Sequence, residues 1–291
     1  MTNILVTGAN GQVGQELKVL AKEFPDFRFV FAGRNQLDIT DQKKVSSFFK
    51  KNEFQYCINC AAYTAVDRAE SEPEMAYNIN VNGVKNLAQS CLKQKVHLIH
   101  LSTDYVYHSD QKTPFKETDP THPQSIYAHT KRVGDEVAEQ INPFFTIIRT
   151  SWVYSSFGNN FVKTMIRLGN EKDELNIVSD QVGTPTYAFD LAKVMLTIIQ
   201  KVEMGLVEKE NLTGIFHYSN DGKTNWAEFA KTIFNIKNIA CKVNEIETAD
   251  YPTPAKRPPF SILDKTKIKN TFEIEIQHWK KSLEACFQKL N

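Results

Sequence analysis

The stretch "YAHTK", Tyr127 to Lys131, sets a phenol and an ammonium four positions apart at the start of a helical pattern. On a helix that spacing puts both on one face, so they can meet at one site. Hydride addition to a ketone leaves negative charge on the oxygen, which calls for a proton donor and for hydrogen bonds aimed at it. Tyr127 suits the general acid, with Lys131 expected to lower its pKa. Such a pair arises readily by chance in a chain with ten tyrosines. Its setting gives it meaning. Upstream, "LSTDYVY" ends a β-rich run and places Ser102 and Thr103 at the carboxyl end of a strand, where open α/β sheets bind ligands. Thr103 can donate a hydrogen bond to the same oxygen.

A hydride donor has its own signature. In "NILVTGANGQVG", Gly8, Gly11 and Gly14 follow a predicted strand and open a predicted helix. Gly8 permits the tight turn, Gly11 lets the backbone approach a pyrophosphate, and Gly14 lets the helix sit close to the sheet. The helix N-terminus offers free N–H groups to phosphate. Asn10, Gln12 and Val13, within the loop, complete the expected cofactor-binding set there. After the second strand the chain reads "FAGRN", without the acidic residue that usually bonds the ribose 2′-hydroxyl of NAD. Arg34 could pair with a 2′-phosphate, so NADPH is expected, with NADH left open. Asp38 and Ile39 could flank the adenine.

These residues need a scaffold. Short β-rich runs, "NILVT", "FRFVFA", "YCINCA", "HLIHLS", "FTIIRT", "LNIVS" and "GIFHYS", alternate with longer amphipathic stretches. That alternation predicts a mostly parallel α/β sheet with crossover helices. In the first helix Val13, Leu17, Leu20 and Phe24 form one apolar stripe. The expected division is a Rossmann-type domain over residues 1–150, rejoined by a segment around 175–200, and a mainly substrate-binding lobe over 151–291. The polar stretch 109–125 reads as a long loop, and "YPTPAKRPPF", Tyr251 to Phe260, as a crossing between the lobes.

Composition narrows the partners. The 35 basic and 34 acidic residues nearly cancel, so no electrostatic footprint for nucleic acid or an anionic membrane is visible. No apolar run reaches the roughly 18 residues of a membrane span, and the first strand begins at about Asn3, leaving no room for a signal peptide. The expected location is the cytoplasm. Five scattered cysteines argue against a disulfide framework, and the pair in "CINC", Cys57 and Cys60, should face opposite ways on a strand.

"TGANGQVG", "STDYVY" and "YAHTK", in this order, resemble the extended short-chain dehydrogenase/reductase family. "CAAYTAVDRAESEPE", "RTSWVY", "GNNFVKTM", "DQVGTPT" and "YPTPAKRP" are similar to its branch that reduces dTDP-linked 4-keto-6-deoxysugars, over the chain to about Asp264. The resemblance implies a Rossmann-type doubly wound sheet with a smaller C-terminal α/β lobe, and reduction of dTDP-4-dehydro-L-rhamnose. Another nucleotide-linked 4-keto-6-deoxysugar, or a non-catalytic NADP-binding regulatory role, stays open. It implies that Lys131 holds the nicotinamide ribose, that Ala62, Tyr63 and Thr64 lie beside the cofactor, and that Val66, Asp104, Tyr105 and Trp152 surround the deoxysugar. Arg257 suits a diphosphate contact through its guanidinium fork. Related dehydratases carry an acidic pair after the threonine; here Tyr105 follows Asp104, which disfavours elimination. Where the family has a polar Asn shortly after that Arg-Pro, this chain has Phe260, so a different nucleotide end of the pocket is expected. Some family members dimerise around Mg²⁺ held by acidic side chains. Glu16 stands where it could serve, although a lone Glu on a helix face is expected to be solvated, and neither metal nor homodimer is assigned.

Overall fold

The computed structural model describes residues 1–290. Strands β1 (Thr2–Thr7), β2 (Phe27–Ala32), β3 (Tyr56–Asn59), β4 (His97–Thr103) and β5 (Phe145–Thr150) pair in parallel, and Gly214–His217 adds beyond β5. The order is Gly214–His217, β5, β4, β3, β1, β2. Chain order reverses at β1, and the crevice at such a reversal is where α/β sheets take ligands. Every residue of β3 and β5 is buried, as strands covered by helices on both faces must be.

Helix α1 (Gln12–Leu20) follows β1 directly. Its stripe Val13, Leu17 and Leu20 is buried against the sheet and the helix Ala188–Glu203; Phe24 lies past the helix end yet joins the same core. On the other face Val84, Leu87, Ala88 and Cys91 pack with Val45 and Phe49. All five cysteines are free thiols.

The segment around 175–200 divides. Its helix returns to α1, but the strand Glu174–Val178 pairs in parallel with Lys242–Ile246, outside the six-stranded sheet. Conversely, Gly214–His217, inside the range expected for the second lobe, completes the first sheet. Within the range expected for the second lobe, Val162, Met165, Phe229, Ile233, Trp279 and Leu283 form a separate core. Phe115, within the polar stretch 109–125, is buried, and its N–H donates to the Ile262 carbonyl. No helix among the described residues is long and apolar enough to cross a membrane.

Candidate active site

The loop after β1 begins at Gly8, whose φ of +63° is costly for any residue with a Cβ. A Cβ there would also lie 2.5 Å from the Ala61 nitrogen, and one at Gly14 would lie 2.6 Å from Ala9 Cα. The loop is therefore drawn tight against the chain leaving β3, with the N-terminus of α1 open beside it. No side chain caps that N-terminus, so its N–H groups are free for an anion. This cradle fits a dinucleotide pyrophosphate.

The cleft beyond it is lined by Gly11, Gln12 and Val13 from the loop and α1, Ala62, Thr64 and Val66 from the chain after β3, and Thr103, Asp104 and Tyr105 from the end of β4. Tyr127 and Lys131 enter from the helix Ile126–Ile141, and Trp152 from the far side. The three expected catalytic residues thus share one cleft with part of the glycine loop.

Ser125 caps the helix Ile126–Ile141, accepting from the Ala128 N–H at 3.2 Å. The helix is pressed so close to Asn78–Gly83 that a Cβ on Gly134 would lie 2.3 Å from the Asn80 carbonyl oxygen. Asn80 is fully buried; it accepts from the Tyr63 N–H at 2.8 Å and donates to Thr130 Oγ1 at 3.1 Å. It fixes the helix to the chain leaving β3.

Burial pushes the Tyr127 phenol up to about 12, while the neighbouring Thr103 hydroxyl works in the opposite direction. The Lys131 ammonium donates to the Leu101 carbonyl at 2.7 Å, and its own pKa is brought down to about 8 by burial. The phenol consequently carries its proton throughout the neutral range. Thr103 Oγ1 donates to Asp104 Oδ1 at 3.2 Å and accepts from the Tyr105 N–H. Asp104 is buried, its Oδ2 has no partner, and burial raises its pKa to about 7.

Other expected residues stand elsewhere. Tyr63 does not line the cleft: it is buried, and its hydroxyl donates to Glu72 at 2.6 Å. Ile39 packs in the core under Gly83, so its side chain is not free to flank an adenine. Asp38 accepts from Thr40, whereas Arg34 is 73% exposed with only a 3.6 Å contact to Asp38. Asn10 is exposed at the loop tip. Arg257 holds Asp67 through both terminal nitrogens, at 3.0 and 2.7 Å. Phe260 packs with Phe115 in a small core and is not among the residues lining this cleft.

Glu16 is not solvated. It is wholly buried, accepts from Ser155 Oγ at 2.6 Å, and burial raises its pKa. Among the described residues no three acidic, His or Cys side chains are grouped to hold a metal ion.

Several cleft residues carried no signal of their own. Trp226 stacks on Trp152 with ring centroids 3.5 Å apart, and Phe161 and Phe229 continue that aromatic wall. Trp152 itself has φ +46°, a strained conformation for a bulky residue. Asn160 bonds Gln12 at 2.9 Å and so ties the wall to the glycine loop. Asn160 and Phe161 lie within "GNNFVKTM", a motif already singled out; Trp226 had no such mark.

The comparisons agree with this geometry. Residues 1–291 match the family model described as "RmlD substrate binding domain". A dTDP-4-dehydrorhamnose reductase from Sinorhizobium fredii is 42% identical, with 96% of this chain and 94% of the relative covered. The crystal structure of a dTDP-4-dehydrorhamnose reductase from Clostridium acetobutylicum superposes with a TM-score of 0.92 at 40% identity, covering 99% of each chain. One from Bacillus anthracis, in complex with NADP, gives 0.93 at 35% identity and covers 99% of this chain and 100% of its own. With identities at this level over nearly whole chains, and with Thr103, Tyr127 and Lys131 in one cleft, the chain belongs to the dTDP-4-dehydrorhamnose reductase family.

Proposed function

We propose that this chain reduces the 4-keto group of dTDP-4-dehydro-L-rhamnose to give dTDP-L-rhamnose, using NADPH. The observation that carries this is the meeting of Thr103, Tyr127 and Lys131 in one cleft with the glycine loop, in a chain 42% identical to a reductase of that name. NADPH, when bound, supplies the hydride. The Gly8–Gly14 loop and the free N–H groups of α1 hold its pyrophosphate, and Ala62 and Thr64 border it. The exposed guanidinium of Arg34 takes the 2′-phosphate, giving up its weak contact with Asp38.

Tyr127 delivers the proton. An alkoxide is far more basic than a phenolate, so a phenol with a pKa near 12 still releases its proton to it downhill. The Lys131 ammonium then stabilises the tyrosinate. Thr103 turns its hydroxyl toward the ketone oxygen, which requires leaving Asp104. Val66, Tyr105, Trp152 and Trp226 form the walls that hold the sugar. Arg257 reaches the diphosphate by exchanging the Asp67 carboxylate for phosphate oxygens, both suited to its fork. The near-zero net charge and five free thiols support action in the cytoplasm on a free nucleotide sugar.

The test is to supply NADPH and dTDP-4-dehydro-L-rhamnose and identify the sugar product by NMR. Formation of dTDP-L-rhamnose with matching cofactor oxidation is expected. Tight NADPH binding with no product would overturn the proposal.

A further inference from the structure

Beneath the catalytic lysine lies a buried chain of polar groups whose hydrogen-bond direction can be read from one backbone amide. The Ala61 N–H donates to Asn59 Oδ1 at 3.1 Å, and Thr7 Oγ1 donates to the same oxygen at 2.7 Å. Reversing the Asn59 amide would set its NH₂ against the Ala61 N–H, donor against donor, so its orientation is fixed. Asn59 Nδ2 therefore points at His100 Nδ1, 3.0 Å away, and Nδ1 must accept. Burial keeps His100 neutral, so its single ring proton sits on Nε2. That N–H faces Lys131 Nζ at 3.3 Å. An amine can accept it; an ammonium, which has no lone pair, cannot.

We propose that His100 is a positioning residue that sets the protonation balance of Lys131, through an imidazole tautomer dictated by Asn59. The other groups around Lys131 divide. Asp135, one turn along the same helix, favours the ammonium, but its Oδ2 is already engaged by Ser102 at 2.9 Å and by Arg149 of β5 at 3.3 Å. Its Oδ1 lies 3.9 Å from His100 Nε2, too far for a hydrogen bond. The Cys60 thiol, beyond β3, favours the ammonium only if ionised, and burial pushes its pKa up. Tyr127 on the same helix and Asp104 beyond β4 face the cleft. His100 thus opposes Asp135 and disfavours the ammonium through its N–H, adding to the burial that already brings the lysine down to about 8.

This inference rests on the proposed reduction for its kinetic consequence, but not for its structural one. In the full-length protein labelled with ¹⁵N-histidine, long-range ¹H–¹⁵N spectra should show His100 as the neutral Nε2–H tautomer, its signals assigned by their loss in His100→Gln. A neutral Nδ1–H form, or a protonated ring, overturns the proposal whether or not any substrate turns over. In turnover, loss of the Lys131 charge makes the rate fall as pH rises through about 8. Asn59→Asp places an acceptor opposite Nδ1, moves the ring proton there, and leaves Nε2 able to accept from the ammonium. The alkaline limb of kcat should then move up by about one pH unit, whereas a merely structural defect would lower kcat evenly across pH. An Asn59→Asp enzyme with an unmoved alkaline limb overturns the proposal. Absence of product from the unsubstituted protein would overturn the proposed reduction instead, leaving the tautomer to decide this one.

Discussion

At the scale of single residues, Tyr127, Lys131 and Thr103 stood out in the sequence because their types and spacing coincided with a strand end and a glycine loop, and the structure brings the three into one cleft. The sequence did not reveal their electrostatics, which depend on burial. Asp104 illustrates this: nothing in "STDYVY" shows that its carboxyl is buried and keeps one oxygen unpaired. A carboxyl whose folded pKa of about 7 exceeds its unfolded value binds its proton more tightly when folded. Its contribution therefore favours the fold at low pH and is lost as pH rises from the unfolded value of about 4 to the folded one. Asp104→Asn should be more stable than the parent above neutrality, by on the order of a few kcal/mol, and the gap should close toward about pH 4. Denaturant titrations across that range check this, and a gap independent of pH would contradict it.

At the scale of elements, the six strands of the central sheet and the stripe of α1 were readable because each is a local pattern of apolar positions. The pairing of Glu174–Val178 with Lys242–Ile246 was not, since its partner lies far along the chain and neither strand marks the other. The tight packing of the helix Ile126–Ile141 was hidden for the same reason. Gly134 looks like an ordinary helix-weakening residue until the Asn80 carbonyl is placed against it. Gly134→Ala should cost about 1–3 kcal/mol through overpacking and also lower kcat, because the helix that must move carries Tyr127 and Lys131. Thermal melts and steady-state rates check both, and a fully active, equally stable variant would show that the contact relaxes freely.

At the scale of the whole molecule, two cores meet around the cleft, and the contact between α1 and the second lobe includes a buried carboxylate. Glu16 was expected on a solvated face because the residue that covers it, Ser155, lies far away in sequence. Ser155→Ala leaves Glu16 without its hydrogen bond and should destabilise the fold by roughly 1–3 kcal/mol, measurable by urea unfolding; an unchanged midpoint would mean that the contact is dispensable. The account as a whole rests on a proton passing from Tyr127 to the sugar within that cleft. Its most direct test compares kcat and NADPH affinity for the parent and Tyr127→Phe on dTDP-4-dehydro-L-rhamnose. The expected result is a kcat lower by about 10²–10⁴ with NADPH affinity nearly unchanged, and equal turnover by the two proteins would contradict the account.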